Sequence, residues 1–361
     1  MIEFFYFALI IINILIPLVG KKSKIIIVIS LLFILLFVMN KKYLGGFIAY
    51  DLNNYSLRYS RDYFLFNASE VLFSLLMMAF KTAGCSFEEF YMFIVAFSLF
   101  LVFIGVLRLN GNFHVFVFTF LIYFVLLPID QLRNFLAFSL FLQGIPFLFR
   151  QKKHDWIWFV VFVGLASLCH SSFIIYFLLL FVFSEYSKKM IAFFAIVSIL
   201  LIIIFLLGGS RTMFGGLLNS VISFLGFEER YSDYTTTATR FSGLVPIAAI
   251  LLLLITFNFV FFNTTKKNTK QSSIIFRIII ITFCFTPLVF LNSTMYRFVR
   301  DISLVLIIVL SGYFINKSFL MQPKNRIGSI ITVASISILW FVFDIVIKGY
   351  YLDYMKYFFE F

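Results

Sequence analysis

The sequence predicts an all-α, polytopic integral membrane protein with about 12 transmembrane helices, a short interfacial or re-entrant helix and one long external loop. Hydrophobic residues make up 63% of the 361 positions, charged residues 12%, and the mean hydropathy is +1.06. Apolar runs of about 20 residues, the length that a helix needs to cross a bilayer, recur with short polar breaks. Little sequence remains for a soluble domain, so we expect a single multi-span membrane domain over residues 1–361.

The predicted spans follow these apolar runs in order. They cover residues 3–20, 25–40, 90–107, 114–129, 132–149, 156–169, 172–183, 190–207, 244–262, 274–291, 298–315 and 327–346. The first run lacks the basic start and small-residue cleavage site of a signal peptide, so we expect it to be retained. The run at 67–83 is too short to cross and is predicted to lie in the interface or to re-enter.

The stretch 156–183 is the weakest part of this assignment, because both of its runs are short for a span. One long helix broken at "CHSS" is the alternative. That helix would put either "RQKK" (150–153) or "SEYSKK" (184–189) on the outer side, whereas basic loops favour the cytoplasm. The charge pattern therefore favours two crossings.

Lysine-rich turns orient the predicted bundle. The turns "KKSK" (21–24), "RQKK", "KKNTK" (266–270) and "KNR" (324–326) fall on one side, which we assign to the cytoplasm of a multi-pass plasma (inner) membrane protein. Both termini, the first loop 41–66 and the long loop 208–243 are then external. These basic loops also explain the net charge of +13 without nucleic acid.

Arginines are concentrated on the predicted outer side, where they outnumber lysines eight to five, against three to twelve inside. The external arginines are Arg58, Arg61, Arg133, Arg211, Arg230, Arg240, Arg297 and Arg300. Topology uses lysine and arginine alike, but only the arginine fork binds phosphate bidentately. A buried guanidinium needs a partner, so each could instead pair with a carboxylate such as Asp130 or Asp301. For the set, an anionic ligand is favoured.

The first external loop combines carboxylates, amides and tyrosines, the groups that bind sugars. Asp51 and Tyr55 in this loop and Glu70 just after it are the candidate functional residues. Tyrosine also marks membrane interfaces without any ligand. Glu70 precedes a short apolar run, so a helix-capping role is the alternative to a catalytic one.

His170 is the candidate proton acceptor among three histidines. It lies between two apolar runs at the predicted outer end, where a neutral imidazole can accept a hydroxyl proton. The alternative is a packed histidine bonded to Ser171, Ser172 or a carbonyl. His114 and His154 are expected to be solvated in cytoplasmic turns. Since the three cysteines are isolated and no metal or nucleotide motif occurs, we expect no metal and no cofactor.

Taken in order, several short motifs resemble the EpsG-like branch of the Wzy-type bacterial polysaccharide polymerases, which act in O-antigen or exopolysaccharide synthesis. They are Asp51-x-x-x-Tyr55, Glu70 opening a short helix, Arg133-x-x-x-Ala137, His170-Ser171-Ser172 and "YRFVRD" from Tyr296 to Asp301. One departure concerns the glutamine that often follows the first arginine of the family. Here Asn134 follows Arg133, and Gln131 precedes it.

The resemblance implies a glycosyltransferase that joins oligosaccharide repeat units, carried on undecaprenyl pyrophosphate, at the outer face of the membrane. Its partners would be that lipid-linked substrate, the bilayer and a chain-length regulator. We assign the diphosphate to Arg133, Arg297 and Arg300, with Tyr55 and Tyr296 as further binding residues. Arg230 and Arg240 from the long loop are candidates to close over the substrate. His170 is the first choice of base, with Asp51 and Glu70 as competitors.

Two other functions fit a polytopic protein with buried arginines. A lipid-linked oligosaccharide flippase or other transporter is one, but the halves show no internal repeat, and the polar residues gather on one face rather than at the midplane. A membrane O-acyltransferase of surface polysaccharide is the other. It should show polar chemistry reaching the cytoplasmic face, where the loops here are short and lysine-rich.

Overall fold

The fold is a bundle of helices. A computed structural model describes residues 2–41, 50–60, 70–125, 128–129, 131–183, 187–206, 243–261, 270–291, 295–314 and 322–347, and within these ranges the chain forms no β-strand. The α-helices are α1 (Ile2–Leu18), α2 (Lys24–Lys41), α3 (Tyr50–Ser60), α4 (Val71–Thr82), α5 (Phe87–Arg108), α6 (Phe113–Thr119), α7 (Leu132–Arg150), α8 (Asp155–Cys169), α9 (Ser187–Leu206), α10 (Leu244–Phe261), α11 (Lys270–Phe283), α12 (Thr286–Leu291), α13 (Tyr296–Ser311) and α14 (Pro323–Phe341). A 3₁₀ helix spans Ser171–Phe183, and π-helical turns extend α6 over Phe120–Phe124 and α14 over Val342–Ile347.

The predicted all-helical membrane architecture is confirmed. Each predicted span overlaps a helix, and α4 coincides with the short helix predicted at 67–83. Six of the described helical segments are long and apolar enough to cross a bilayer: Phe87–Arg108, Leu132–Arg150, Lys189–Leu206, Leu244–Phe261, Lys270–Phe290 and Pro323–Asp344. The count of 12 crossings and the sidedness stay predictions. The long loop predicted at 208–243 lies outside the described residues up to residue 242.

Residues 41–66 were expected to form an external loop, but the structure forms helix α3 within them. Its sequence, YDLNNYSLRYS, is polar, yet Leu52, Tyr55 and Tyr59 are buried on one face. Tyr59 donates a hydrogen bond to the Cys85 carbonyl at 2.7 Å. The helical spacing of these three side chains explains why a polar segment packs against the bundle as a helix.

The short runs around "CHSS" form a hairpin, as the charge pattern predicts. Helix α8 ends at Cys169 and the 3₁₀ helix starts at Ser171. Gln151, just before α8, donates to the Val182 carbonyl at 3.3 Å near the end of the 3₁₀ helix. Both ends of the pair therefore meet at the lysine-rich end of the bundle, and His170 lies at the bend.

The expectation that His114 is solvated is wrong. Its imidazole is fully buried and joins α1, α2 and α6. The Ser23 backbone N–H donates to Nε2 at 3.1 Å, so the proton lies on Nδ1, which is 2.8 Å from Asn13 Oδ1. With both ring nitrogens bonded, the histidine can be buried without losing hydrogen bonds.

Helices α7 and α8 pack closely at Gly144. A Cβ at Gly144 would lie 3.1 Å from Phe162 Cβ and 3.4 Å from Phe159 Cδ2. A Cβ at Gly164 on α8 would instead lie in open space. The two glycines therefore differ in whether a side chain fits.

We expect Gly144→Ile to push α7 and α8 apart and to destabilise the protein by about 1–3 kcal/mol, the usual cost of overpacking. Thermal unfolding of the purified protein in detergent measures this as a lower midpoint. Gly164→Ile is the matched control and should leave the midpoint nearly unchanged. Equal midpoints for the two variants would show that the close contact does not matter.

Candidate functional site

Arg133 is the centre of the candidate site. It lies in the first turn of α7, and its side chain is only 13% exposed. Its Nη1 forms an ion pair with Glu70, and its Nε donates a hydrogen bond to the Tyr55 hydroxyl at 2.7 Å. The structure thus brings together three predicted site residues from α3, α4 and α7.

Glu70 is buried against Arg133 rather than capping its own helix. It occupies the N-cap position of α4, but its side chain makes no capping hydrogen bond. Its carboxylate faces Arg133, and its side chain is 6% exposed. Pairing satisfies two groups that would be costly to bury separately.

The Tyr55 ring packs beside the Arg133 guanidinium. The Arg133 Cζ lies 4.9 Å from the Tyr55 ring centroid, a cation–π distance. The centroid of the Tyr55 ring also lies 5.6 Å from that of the Phe73 ring on α4. Asp51 is half-buried one helical turn before Tyr55 on α3. The hydroxyl and the ring together fix the plane of the guanidinium.

One arm of the Arg133 fork donates no hydrogen bond within the described part of the chain. A guanidinium offers five N–H donors in a planar fork. Contacts with Tyr55 and Glu70 use Nε and Nη1. Among the described residues, no hydrogen bond from Nη2 is found. A guanidinium held in this way can still donate from Nη2 to an anion.

The amides next to Arg133 bind each other. Asn134 Nδ2 donates to Gln131 Oε1 at 3.0 Å, and both side chains are buried. The hydrogen bond links Gln131, the residue before α7, to Asn134 in the first turn of that helix. Asn134, at the position where the resemblance implies a glutamine, is therefore held against Gln131.

His170 lies at the same end of the bundle as Arg133. Helix α8 runs antiparallel to α7 and packs against both α4 and α7, and His170 follows its last residue. The His170 Nδ1 lies 3.0 Å from the Ser172 hydroxyl. The serine contact named as the alternative is thus present, and it fixes the ring while leaving it half-buried.

Arg300 is enclosed by protein carboxylates. It is fully buried in α13, with Nη2 3.2 Å from Asp301 Oδ1 and Nη1 3.4 Å from Asp344 Oδ2. Its Cζ lies 5.4 Å and 5.7 Å from the rings of Tyr296 and Phe124. This closed cluster is the carboxylate pairing that stood as the alternative to a ligand.

The remaining predicted site residues are placed differently. Tyr296 is buried against Phe343 and Trp340, with ring centroids 4.9 Å and 6.0 Å away. Arg297 is half-buried, and every other residue of α13 is buried. Arg230 and Arg240 lie outside the described residues.

Asp344 was missed by the sequence analysis. It stands in the apolar run "WFVFDIVI", and a lone carboxylate in such a run needs a buried cation as its partner. That signal could have linked it to one of the arginines of α13. No group of three or more potential metal ligands occurs among the described residues.

Comparison with known proteins identifies a family. The model of the EpsG family matches residues 42–359. Neither a curated protein nor a solved structure matches the chain. The matched range contains Tyr55, Glu70, Arg133, His170 and Arg300, whereas α1 and α2 precede it.

Proposed function

The chain belongs to the EpsG family, a family of Wzy-type polysaccharide polymerase-like membrane proteins, and from this premise we propose that it polymerises lipid-linked oligosaccharide repeat units. The proposed carrier is undecaprenyl pyrophosphate, and the proposed place is the outer face of the plasma membrane. A chain-length regulator is the proposed protein partner.

The proposed reaction is a glycosyl transfer. A sugar hydroxyl of one repeat unit attacks the anomeric carbon of the other. The bond from this carbon to the pyrophosphate oxygen breaks, and its electron pair leaves with the lipid pyrophosphate. The proton of the attacking hydroxyl passes to a protein base. The protein must therefore stabilise a diphosphate and accept a proton.

Arg133 carries this proposal. Tyr55 and Glu70 hold its guanidinium in one orientation while Nη2 remains for a diphosphate oxygen. Because the charge grows on the leaving pyrophosphate, a donor fixed in advance stabilises the transition state more than the bound substrate. Arg297 is the second proposed contact, and Arg230 and Arg240 are proposed to close over the substrate.

His170 is the proposed base, acting at Nδ1. This nitrogen accepts a hydrogen bond from the Ser172 backbone N–H at 3.4 Å and lies 3.0 Å from the Ser172 hydroxyl, so the lone pair is on Nδ1 and the ring proton on Nε2. In the proposed reaction the attacking sugar hydroxyl takes the place of this serine contact. Asp51 and Glu70 remain competitors. Since Glu70 already accepts from Arg133, orientation of the guanidinium is its better supported role.

We expect Tyr55→Phe to lower polymerisation roughly tenfold, the effect of losing one hydrogen bond to a charged group. The phenylalanine keeps the ring beside Arg133 but removes the acceptor of its Nε. The rate of polymer formation measures the effect. Tyr59→Phe, one turn along α3, loses a hydrogen bond to the Cys85 carbonyl instead and is the matched control. An equal loss in both variants would point to the stability of α3 rather than to Arg133.

The function is tested in the host by the surface polysaccharide that remains when the gene is deleted or carries His170→Ala. A gel should show single repeat units on the lipid core, where a ligase transfers them. Loss of a flippase would leave no units outside, and loss of an O-acyltransferase would leave a full ladder. A full ladder in the deletion strain would reject the polymerase.

A further inference from the structure

A cavity of about 460 Å³ lies at the lysine-rich end of the bundle. Its lining comes from the ends of α5, α7 and α13 and the start of α11. Arg133 and Arg150 mark opposite ends of α7, roughly 25 Å apart at 1.5 Å per residue. The cavity is therefore distinct from the candidate site.

Two guanidiniums meet at one aromatic ring in this cavity. The Cζ atoms of Arg108 and Arg150 lie 5.1 Å and 4.8 Å from the Phe147 ring centroid. Like charges so close together repel each other, so an anion placed with them would stabilise the arrangement. Both guanidiniums therefore make a cation–π contact with the Phe147 ring.

The cavity carries excess positive charge. Arg150 is neutralised by Asp155, with Nη2 2.5 Å from Oδ1. Arg108 donates from Nη1 to the backbone carbonyl and the side-chain oxygen of Gln143, at 3.3 Å and 3.2 Å. Across the described part of the chain, Arg108 forms no ion pair with a carboxylate. Its contacts are neutral and use only Nη1, so Nε and Nη2 remain for an anion.

The rest of the lining is amphipathic. Leu109, Pro146 and Phe149 supply apolar surface, and the Tyr313 hydroxyl donates to Gln271 Oε1 at 2.7 Å. Basic pockets between transmembrane helices at the membrane interface suit lipid head groups, because the phosphate meets the cations and the carbon chain meets apolar side chains. A soluble anion would gain nothing from the apolar part.

We propose that this cavity binds the phosphate of an anionic phospholipid in the leaflet at the lysine-rich end. The proposal is independent of the polymerase function. The competing explanation is that Arg108 and Arg150 only complement the negative C-terminal ends of α5 and α7. That explanation requires no ligand and predicts no preference among lipids.

The test is a titration of the purified full-length protein in detergent micelles with phosphatidylglycerol, phosphatidylcholine or inorganic phosphate. Native mass spectrometry counts bound lipid, and thermal unfolding reports stabilisation. Phosphatidylglycerol should bind and raise the unfolding midpoint. Arg108→Gln should weaken that binding about fivefold, the usual contribution of one cation near a charged membrane surface. Arg108→Lys, which keeps the charge, should bind phosphatidylglycerol with an affinity between those of the unaltered protein and Arg108→Gln.

Lys324→Gln is the control, since it removes an exposed cation of the same end outside the cavity. It should bind phosphatidylglycerol like the unaltered protein. Size-exclusion chromatography shows whether Arg108→Gln is folded, and Arg108→Lys tests the site if it is not. Equal binding of the two lipids, or unchanged binding by both Arg108 variants, would overturn the proposal. Stabilisation by inorganic phosphate as strong as that by phosphatidylglycerol would reject the lipid as its source.

Discussion

Arg133→Ala is expected to abolish polymer formation in cells and to leave single repeat units on the surface. The variant loses the arm that faces the proposed diphosphate, and removing one donor to a developing charge typically lowers a rate by about 10²–10³. It also removes the ion pair between Arg133 and the buried Glu70. The length distribution of surface polysaccharide on a gel measures the result, with an immunoblot for the amount of protein.

Arg133→Lys distinguishes a loss of diphosphate binding from a loss of folding. A lysine keeps a positive charge beside Glu70, so the protein should accumulate normally. A point charge cannot engage Tyr55, Glu70 and a ligand in one plane, so polymer should still be strongly reduced. Arg277→Ala, which removes an arginine that contacts the Val182 carbonyl near the opposite end, should keep a full ladder. A full ladder in Arg133→Ala would remove Arg133 from the mechanism.

Arg300→Met is expected to act on stability. The substitution leaves Asp301 and Asp344 buried without their cation, which costs about 3–5 kcal/mol when one partner of a buried ion pair is removed. We therefore expect little folded protein, measured by size-exclusion chromatography of the detergent extract and by the unfolding midpoint.

The matched control replaces the whole cluster with neutral side chains. The triple variant Arg300→Met, Asp301→Asn, Asp344→Asn removes both unpaired charges and should recover much of the lost stability. A single Arg300→Met variant that folds normally but makes no polymer would contradict the structural role. It would instead support diphosphate binding by Arg300.

Helix positions were the most predictable part of the fold. Long apolar runs define α5, α10 and α14, because length and hydropathy are local properties. Helix α3 was not predicted, since its polar sequence packs through only three side chains on one face. His114 was assigned to solvent because its neighbours in sequence are polar, whereas its partners Asn13 and Ser23 are far along the chain.

The site was predictable in its members but not in its pairings. Arg133, Glu70 and Tyr55 each attracted attention through position and chemistry. Their contacts join residues 63 and 78 positions apart, and only the packing of α3, α4 and α7 brings them together. The sequence suggested Asp130 as a partner for Arg133 because it is near in the chain, and Asp130 lies outside the described residues.

The most direct test of the proposed polymerase is polymerisation by the purified protein in proteoliposomes supplied with undecaprenyl-pyrophosphate-linked repeat units. We expect a ladder of products and released lipid pyrophosphate with the unaltered protein, and single units with Arg133→Ala reconstituted in equal amount. A ladder of equal length from both proteins would contradict the role of Arg133. No ladder from the unaltered, folded protein would contradict the polymerase itself.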